Sequence, residues 1–294
     1  MILSPTFWPS AVAALAFALA ALWPSHPAPA VASDQPGPAG RPQGLGGVWR
    51  VLLLGWLAQG VAIALDALSL DSPQPGARFG FAPALSVTSW LVLAVYAIES
   101  RSLGLPGLQR SLAGLCLAAV VLAWLFPGQS HANLGSAWAP LHWLTGFASY
   151  GLIGAALLHA ALLHHAERHL RAGSGQGVTS GQIPSPARPK GQALGMPLLR
   201  LESLTLRFVA AGFAMLSLTL LLGAAFAPWR WDHKTVFSVL SWAVFATLLV
   251  GRARFGWRGR QAIRWLMAGS ALLLLAYVGS RFVLEVILHR QAVA

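Results

Sequence analysis

Apolar residues in this chain come in long blocks, at about residues 5 to 23, 48 to 68, 82 to 99, 110 to 126, 139 to 163, 207 to 228, 235 to 251 and 264 to 288. Short polar stretches, or stretches rich in proline and glycine, separate them. Runs such as SLAGLCLAAVVLAWLF are apolar on every face, whereas a membrane strand would alternate over about 10 residues. Blocks of about 20 residues match the roughly 30 Å hydrocarbon layer, and a helix satisfies its own backbone hydrogen bonds where lipid offers none. The pattern predicts an all-α polytopic membrane bundle of about eight transmembrane helices.

The first block, PTFWPSAVAALAFALAALW, is followed by small residues that resemble a cleavage site. No Lys or Arg precedes it, however, and a signal peptide wants a basic leading segment, so the block reads as a span. Composition agrees with a membrane chain: 56% of the residues are hydrophobic and 10% charged, against about 25% charged in soluble domains. The formal charge of +12 would suggest nucleic acid on a soluble chain. Here the basic residues sit in the connections and act as topology signals. With the N-terminus outside, fifteen of the 20 Lys and Arg fall on the inner side, five of them arginines between Arg252 and Arg264. Both termini are therefore expected outside. The chain divides into an N-terminal four-span half, 1–130, with a linker at 24–47, and a C-terminal four-span half, 131–294, with a cytoplasmic linker at 172–198. Both linkers are rich in Pro, Gly and Ser and have little to bury.

Several chemistries are excluded. There is no phosphate-binding G-x-x-x-x-G-K-[ST], and GSGQG sits in a linker with no preceding strand. The lone Cys116 lies in an apolar run, so no disulfide framework or cysteine metal set exists. His165 and His169 stand one helical turn apart in HHAERH, but Glu167 is out of register for a zinc protease, and interfacial histidines beside arginines are commonly solvated. The spans read as nearly clean of ionisable residues, which argues against a transporter. Asp66, Arg281 and Glu285 lie toward outer ends, and the spacing of the last two permits contact along their own helix. They read as paired or snorkelling charges.

The expected outer face carries more. His142 opens the fifth block in PLHWLTGFASYG, His289 closes the eighth in RFVLEVILH, and PWRWDHKT joins the sixth to the seventh. Two imidazoles at similar depth beside Trp229, Trp231, Asp232 and Lys234 form the set an exposed haem requires. The iron takes two axial imidazoles, indoles pack the macrocycle, and cations meet the propionates. Tryptophans also populate any membrane interface, so spacing alone leaves both readings open.

From about residue 139 to 289 the chain resembles the cytochrome c assembly membrane-protein family, the haem-handling CcsA/CcmC group. It is most similar to the small eight-span branch of YpjD and HemX type. The resemblance rests on LHWLTGFASYGLIGAALLHAALL, LESLTLRFVAAGFAMLSLTLLLGAAF, PWRWDHKTVFSVLSWAVFATLL and GRARFGWRGRQAIRWLMAGSALLLLAYVGSRFVLEVILH. A weaker string, ALSVTSWL around Trp90, adds to it. The resemblance implies haem held on the outer face between two histidines flanking a tryptophan-rich loop. His142 falls on the first ligand, Trp231 and Asp232 on the core of the loop, and His289 near the second ligand. The loop is reduced here to PWRWDHK. The resemblance therefore carries over haem interaction and a link to cytochrome c assembly in a bacterial inner membrane, but no haem-lyase activity and no catalytic residue. Expected partners are haem, the lipid bilayer and other cytochrome c or haem biogenesis proteins, with no nucleic acid. A regulatory or scaffold protein that has lost haem, and a small-solute transporter, are the alternatives.

Overall fold

The computed structural model describes residues 5–23, 45–68, 76–99, 106–132, 138–174, 192–193, 196–226 and 231–288. Within them run α1 (Phe7–Leu22), α2 (Leu45–Leu68), α3 (Phe81–Glu99), α4 (Pro106–Leu125), α5 (Ala139–Ser174), α6 (Leu198–Phe226), α7 (His233–Phe255) and α8 (Arg260–Leu274). Helix α8 continues through two π-helical segments, Leu275–Gly279 and Val283–Ile287, on either side of an α-helical piece, Ser280–Phe282. Two short antiparallel ladders accompany the helices: β1 (Gly76–Phe79) with β2 (Gln129–Ala132), and β3 (Gln192–Ala193) with β4 (Met196–Pro197). Most of both linkers lies outside the described residues.

The chain is a polytopic membrane helical bundle: α2 to α8 are each long and apolar enough to cross a bilayer. Helix α1 has 16 residues, a rise of about 24 Å, less than the full hydrocarbon thickness. It is nevertheless apolar apart from Ser10. Ala13, Ala16, Phe17 and Ala20, at helical spacing, form its buried face against α2 and α4.

The residues form two compact units, Met1–Ala94 with Gly104–Asn133, and Val95–Leu103 with Leu134–Ala294. In the first, Trp56 of α2 and Trp90 of α3 stack with centroids 4.8 Å apart. Each indole N–H donates to the other residue's backbone carbonyl, at 3.1 and 2.9 Å. Gly60 admits the Trp90 ring, which a Cβ there would meet at 3.0 Å. The buried Gln59 amide donates to Ser86 and Ser89 on α3. Polar links of this kind tie transmembrane helices where lipid supplies no hydrophobic drive. Asp66 finds Arg78 at 3.5 Å, as a paired charge.

In the second unit α5, α6, α7 and α8 run alternately up and down around Ile153, Val209, Leu216, Phe245, Leu248 and Leu273. As α5 is followed from Ile153 back to His142, its contacts on α6 climb from Gly212 to Gly223, so the pair is antiparallel. The Ser-Trp step of the seventh block does similar work. Ser241 donates to Gly269 O of α8 at 2.8 Å, and Trp242 Nε1 to Ser217 Oγ of α6 at 2.8 Å. The Tyr150 hydroxyl of α5 donates to the Leu273 carbonyl of α8 and so sets their register.

The Gly-Trp-Arg-Gly turn between α7 and α8 has a local cause. Gly256 closes α7 at φ 64° and Gly259 opens α8 at φ 57°, conformations glycine adopts without steric penalty. Trp257 N–H donates back to Gly251 O at 3.3 Å, and its ring stacks on Trp265 at 5.5 Å. A Cβ on Gly251 would overlap that ring. Gly251→Ala is therefore expected to cost about 1–3 kcal/mol, as overpacking of a fixed contact does, read as a lowered unfolding midpoint in detergent.

Candidate functional site

Four elements of the second unit meet at one end. Helix α5 starts there and α6 ends there; α7 starts there and α8 ends there. His142 lies in the first turn of α5 and is partly buried. Its Nδ1 is 2.9 Å from the Thr219 backbone carbonyl of α6. A carbonyl only accepts, so Nδ1 carries the proton and Nε2 is the lone-pair nitrogen. This tautomer, oriented by an outer hydrogen bond, is the form in which histidine serves as a metal ligand. Gly223 provides the room, since a Cβ there would approach His142 Cε1 to 3.2 Å. Beneath the ring, the hydroxyls of Thr219 and Thr145 lie 2.9 Å apart and hold α5 to α6.

Trp231 and Asp232 precede α7 and Lys234 lies in its first turn; Trp231 is 71% exposed. Asp232 has a structural task, as the N-cap of α7: its carboxylate accepts from Thr235 N–H at 2.8 Å. Partial desolvation pushes this carboxyl up, but the Thr235 N–H and hydroxyl and the charges of Lys234 and His233 outweigh it and hold it below its ordinary value. Because the folded-state value is depressed, the stabilisation is complete above the ordinary carboxylate pKa. It is lost as acidification passes the lower folded value. Asp232→Ala is expected to cost about 1 kcal/mol, and Asp232→Asn almost nothing, since Asn caps as well as Asp. Amide exchange in the first turn of α7 would separate the two variants.

Of the residues expected at the site, the structure thus gathers His142, Trp231, Asp232 and Lys234 at one end of the second unit. Trp229 and His289 lie outside the described residues, as does the side chain of His169. Leu288, the last described residue of α8, is at the same end. The Tyr150–Leu273 bond sets the levels: His142 lies eight residues above Tyr150, and Arg281 lies eight residues above Leu273. Along α5 that is about 12 Å; along α8 the count runs through the π-helical segment Leu275–Gly279, where the α-helical rise does not hold. Leu288 lies seven residues further toward the same end.

Two features escape the sequence reading. The spans are less clean than they read, because His159 in α5 is buried and its Nε2 sits 2.5 Å from Glu99 Oε2 in the last turn of α3. His159 Nδ1 donates to Ala155 O at 2.8 Å, so Nε2 and the carboxylate share one further proton. The lone polar residue in GAALLHAALL was the signal. Its partner, sixty positions earlier, was not legible. The second feature is Arg281. It is only 7% exposed, and its Nε and NH1 find no hydrogen-bond partner. Contact along its own helix does not satisfy them. Arg252, by contrast, is paired with Glu202 at 3.0 Å at the opposite end of the unit. Among the described residues, no three His, Cys, Asp or Glu side chains converge as a metal set.

The family model described as cytochrome C assembly protein matches residues 51–288. The match takes in helices of both units. The chain is 25% identical over 220 residues to the cytochrome c biogenesis protein CcsA of Prochlorococcus marinus (strain MIT 9303), covering 66% of this chain and 69% of that protein. It is 30% identical over 113 residues to the CcsA protein of Synechococcus sp. (strain JA-3-3Ab), 34% of this chain and 33% of that one. It is 35% identical over 95 residues to the inner membrane protein YpjD of Escherichia coli (strain K12), 31% of this chain and 36% of that one. A match over most of the sequence, on a bundle of apolar spans, makes this chain a member of the cytochrome c assembly protein family, with a role in cytochrome c biogenesis.

Proposed function

We propose that this chain is a non-catalytic haem-handling protein of a bacterial inner membrane. It would offer His142 to the iron of a bound haem at the outer face, beside a short Trp-Asp loop. The observation that carries this reading is the His142–Thr219 hydrogen bond at 2.9 Å. Within the family-matched region, it fixes the ring and its tautomer as an outer partner fixes a metal-ligating histidine. The outer assignment follows the excess of Lys and Arg on the opposite side.

Haem, when bound, supplies the iron and the porphyrin face. The chain supplies a nitrogen ligand, the exposed indole of Trp231 for the macrocycle, and the cation Lys234. His289, directly after the described end of α8, is the proposed second ligand. The two imidazoles would hold the iron of a bound haem. Trp229 is proposed to complete the aromatic rim.

The test is the absorbance of full-length protein, purified from haem-replete cells and reconstituted with haem. A bis-histidine Soret spectrum that is lost in His142→Ala and in His289→Ala supports the proposal. An identical spectrum in the His142→Ala variant rules that residue out as a ligand.

A second reading is favoured by the short connection between α6 and α7, from Phe226 to His233. Six residues leave little surface for docking an apocytochrome, which suits a regulatory or scaffold protein partnering another haem or cytochrome c biogenesis protein. Colourless protein that co-purifies with such a partner would favour it.

A further inference from the structure

Arg281 is the most anomalous charge in the described residues. A guanidinium is planar, permanently charged and forked, and it is buried only where its donors are matched. Here the side chain is 7% exposed, while Nε and NH1 have no hydrogen-bond partner. Its Cζ lies over the face of Tyr277, 6.0 Å from the ring centroid. Glu285 stands four residues further along, yet these two donors find no acceptor in it or elsewhere among the described residues. Lys234 of α7 is close enough for its charge to interact with that of Arg281. Lys234, in the first turn of α7, is thus a second cation at the end of the unit toward which Arg281 lies.

The backbone at this point is also irregular. Arg281 lies in a three-residue α-helical piece between two π-helical segments. Wide turns of this kind forgo regular packing and concentrate at functional sites. They are a second departure from a stable transmembrane helix, at the same residues as the unmatched charge. Arg281 and His142 each lie eight residues beyond the Tyr150–Leu273 bond toward this end of the unit.

We infer that Arg281, seconded by Lys234, is the internal anchor for a carboxylate of the ligand handled at this end of the second unit. On the reading proposed above, on which this inference rests, that group is a porphyrin propionate. Arg281 lies seven residues inside the described end of α8, and its neighbours Phe282 and Val283 are apolar and 42% exposed. A free inorganic anion would shed its hydration to reach that depth. An amphipathic ligand carries its carboxylate there on its own apolar body. The guanidinium fork then gains two parallel charge-assisted hydrogen bonds, the geometry in which Arg binds carboxylates best.

The test uses full-length protein in phosphatidylcholine nanodiscs, with two probes that carry no iron: protoporphyrin IX and its dimethyl ester, followed by porphyrin fluorescence. The diacid is expected to bind at least about tenfold tighter than the ester, the order of one hydrogen bond to a charged group. Arg281→Gln is expected to abolish that preference by weakening the diacid alone, and Arg281→Lys to keep part of it. In the absence of porphyrin, Arg281→Gln should raise the unfolding midpoint, since it removes an unmatched buried charge.

Equal affinity of the wild-type protein for diacid and ester overturns the inference, and this comparison needs no variant to fold. A Gln variant that weakens both probes alike, or lowers the midpoint, marks a structural arginine and also overturns it. Loss of the preference on adding phosphatidylglycerol assigns the anchor to a lipid headgroup instead, with the same consequence. The axial-ligand proposal fails separately: haem without a His142-dependent Soret band refutes that proposal, while an Arg281-dependent diacid preference would still stand.

Discussion

His142→Ala is expected to lose the axial-ligand Soret band and to weaken haem binding by about a hundredfold or more, beyond the range seen when only the outer partners of a metal ligand are removed. Exogenous imidazole should restore part of the band, because the missing ring leaves a space of its own shape. A histidine needed only for packing would not be replaced by a free ligand. Gly223→Ala is the graded companion. Its Cβ would approach the ring to 3.2 Å, displacing it by a few tenths of an ångström without removing it, and the expected loss is about tenfold. The fold should survive both changes. Ser149 still donates to Gly212 O at 3.1 Å, and Thr219 still meets Thr145. If the Soret band were unchanged in His142→Ala, the hydrogen bond to Thr219 would be a helix tie and nothing more.

The second large effect is expected at the other end of α5. Glu99→Ala should destabilise the second unit by about 1–3 kcal/mol, the usual result of leaving a buried polar group without its partner. It leaves the His159 ring, which is 1% exposed, with nothing to share its proton. His159→Leu is expected to cost less, because the Glu99 side chain is 21% exposed and can reach water. The double variant Glu99→Ala, His159→Leu should recover most of the Glu99→Ala loss, since removing both partners avoids a stranded buried polar group. Unfolding midpoints in one detergent would form the cycle. Strict additivity would show the contact at 2.5 Å to be energetically idle, whereas a coupling well above 0.5 kcal/mol, the usual additive error, is expected.

These two regions differ in how far they could be read in advance. His142, Trp231, Asp232 and Lys234 stand near helix ends, where parity of crossing decides the face of the membrane. Counting spans was therefore enough to bring them to one end. The roles within that end were less accessible. Asp232 reads as one of a set of polar groups facing a cofactor, yet its carboxylate caps α7 through Thr235, an ordinary local job for Asp before a helix. Arg281 and Glu285 have the spacing of a self-satisfied pair, but the π-helical turns around Arg281 break the regular geometry on which that spacing rule depends.

What the sequence determined by itself is the membrane class, the number and order of the apolar helices and the end of the bundle at which the candidate residues gather. Lipid enforces these directly, because a segment that cannot satisfy its own backbone cannot stay there. Short markers such as Gly-Trp-Arg-Gly also act locally, through two left-handed glycines and a ring folded back on α7. Tertiary structure alone decided the register between helices, and with it every polar pairing that matters. The stack of Trp56 on Trp90, the contact of His159 with Glu99, the orientation of His142 by a carbonyl 77 positions away and the unmatched guanidinium of Arg281 all depend on it. An apolar helix presents similar hydrophobicity at every height. Its composition therefore leaves sliding along a neighbour almost free, and only side-chain packing and hydrogen bonds between helices select one position.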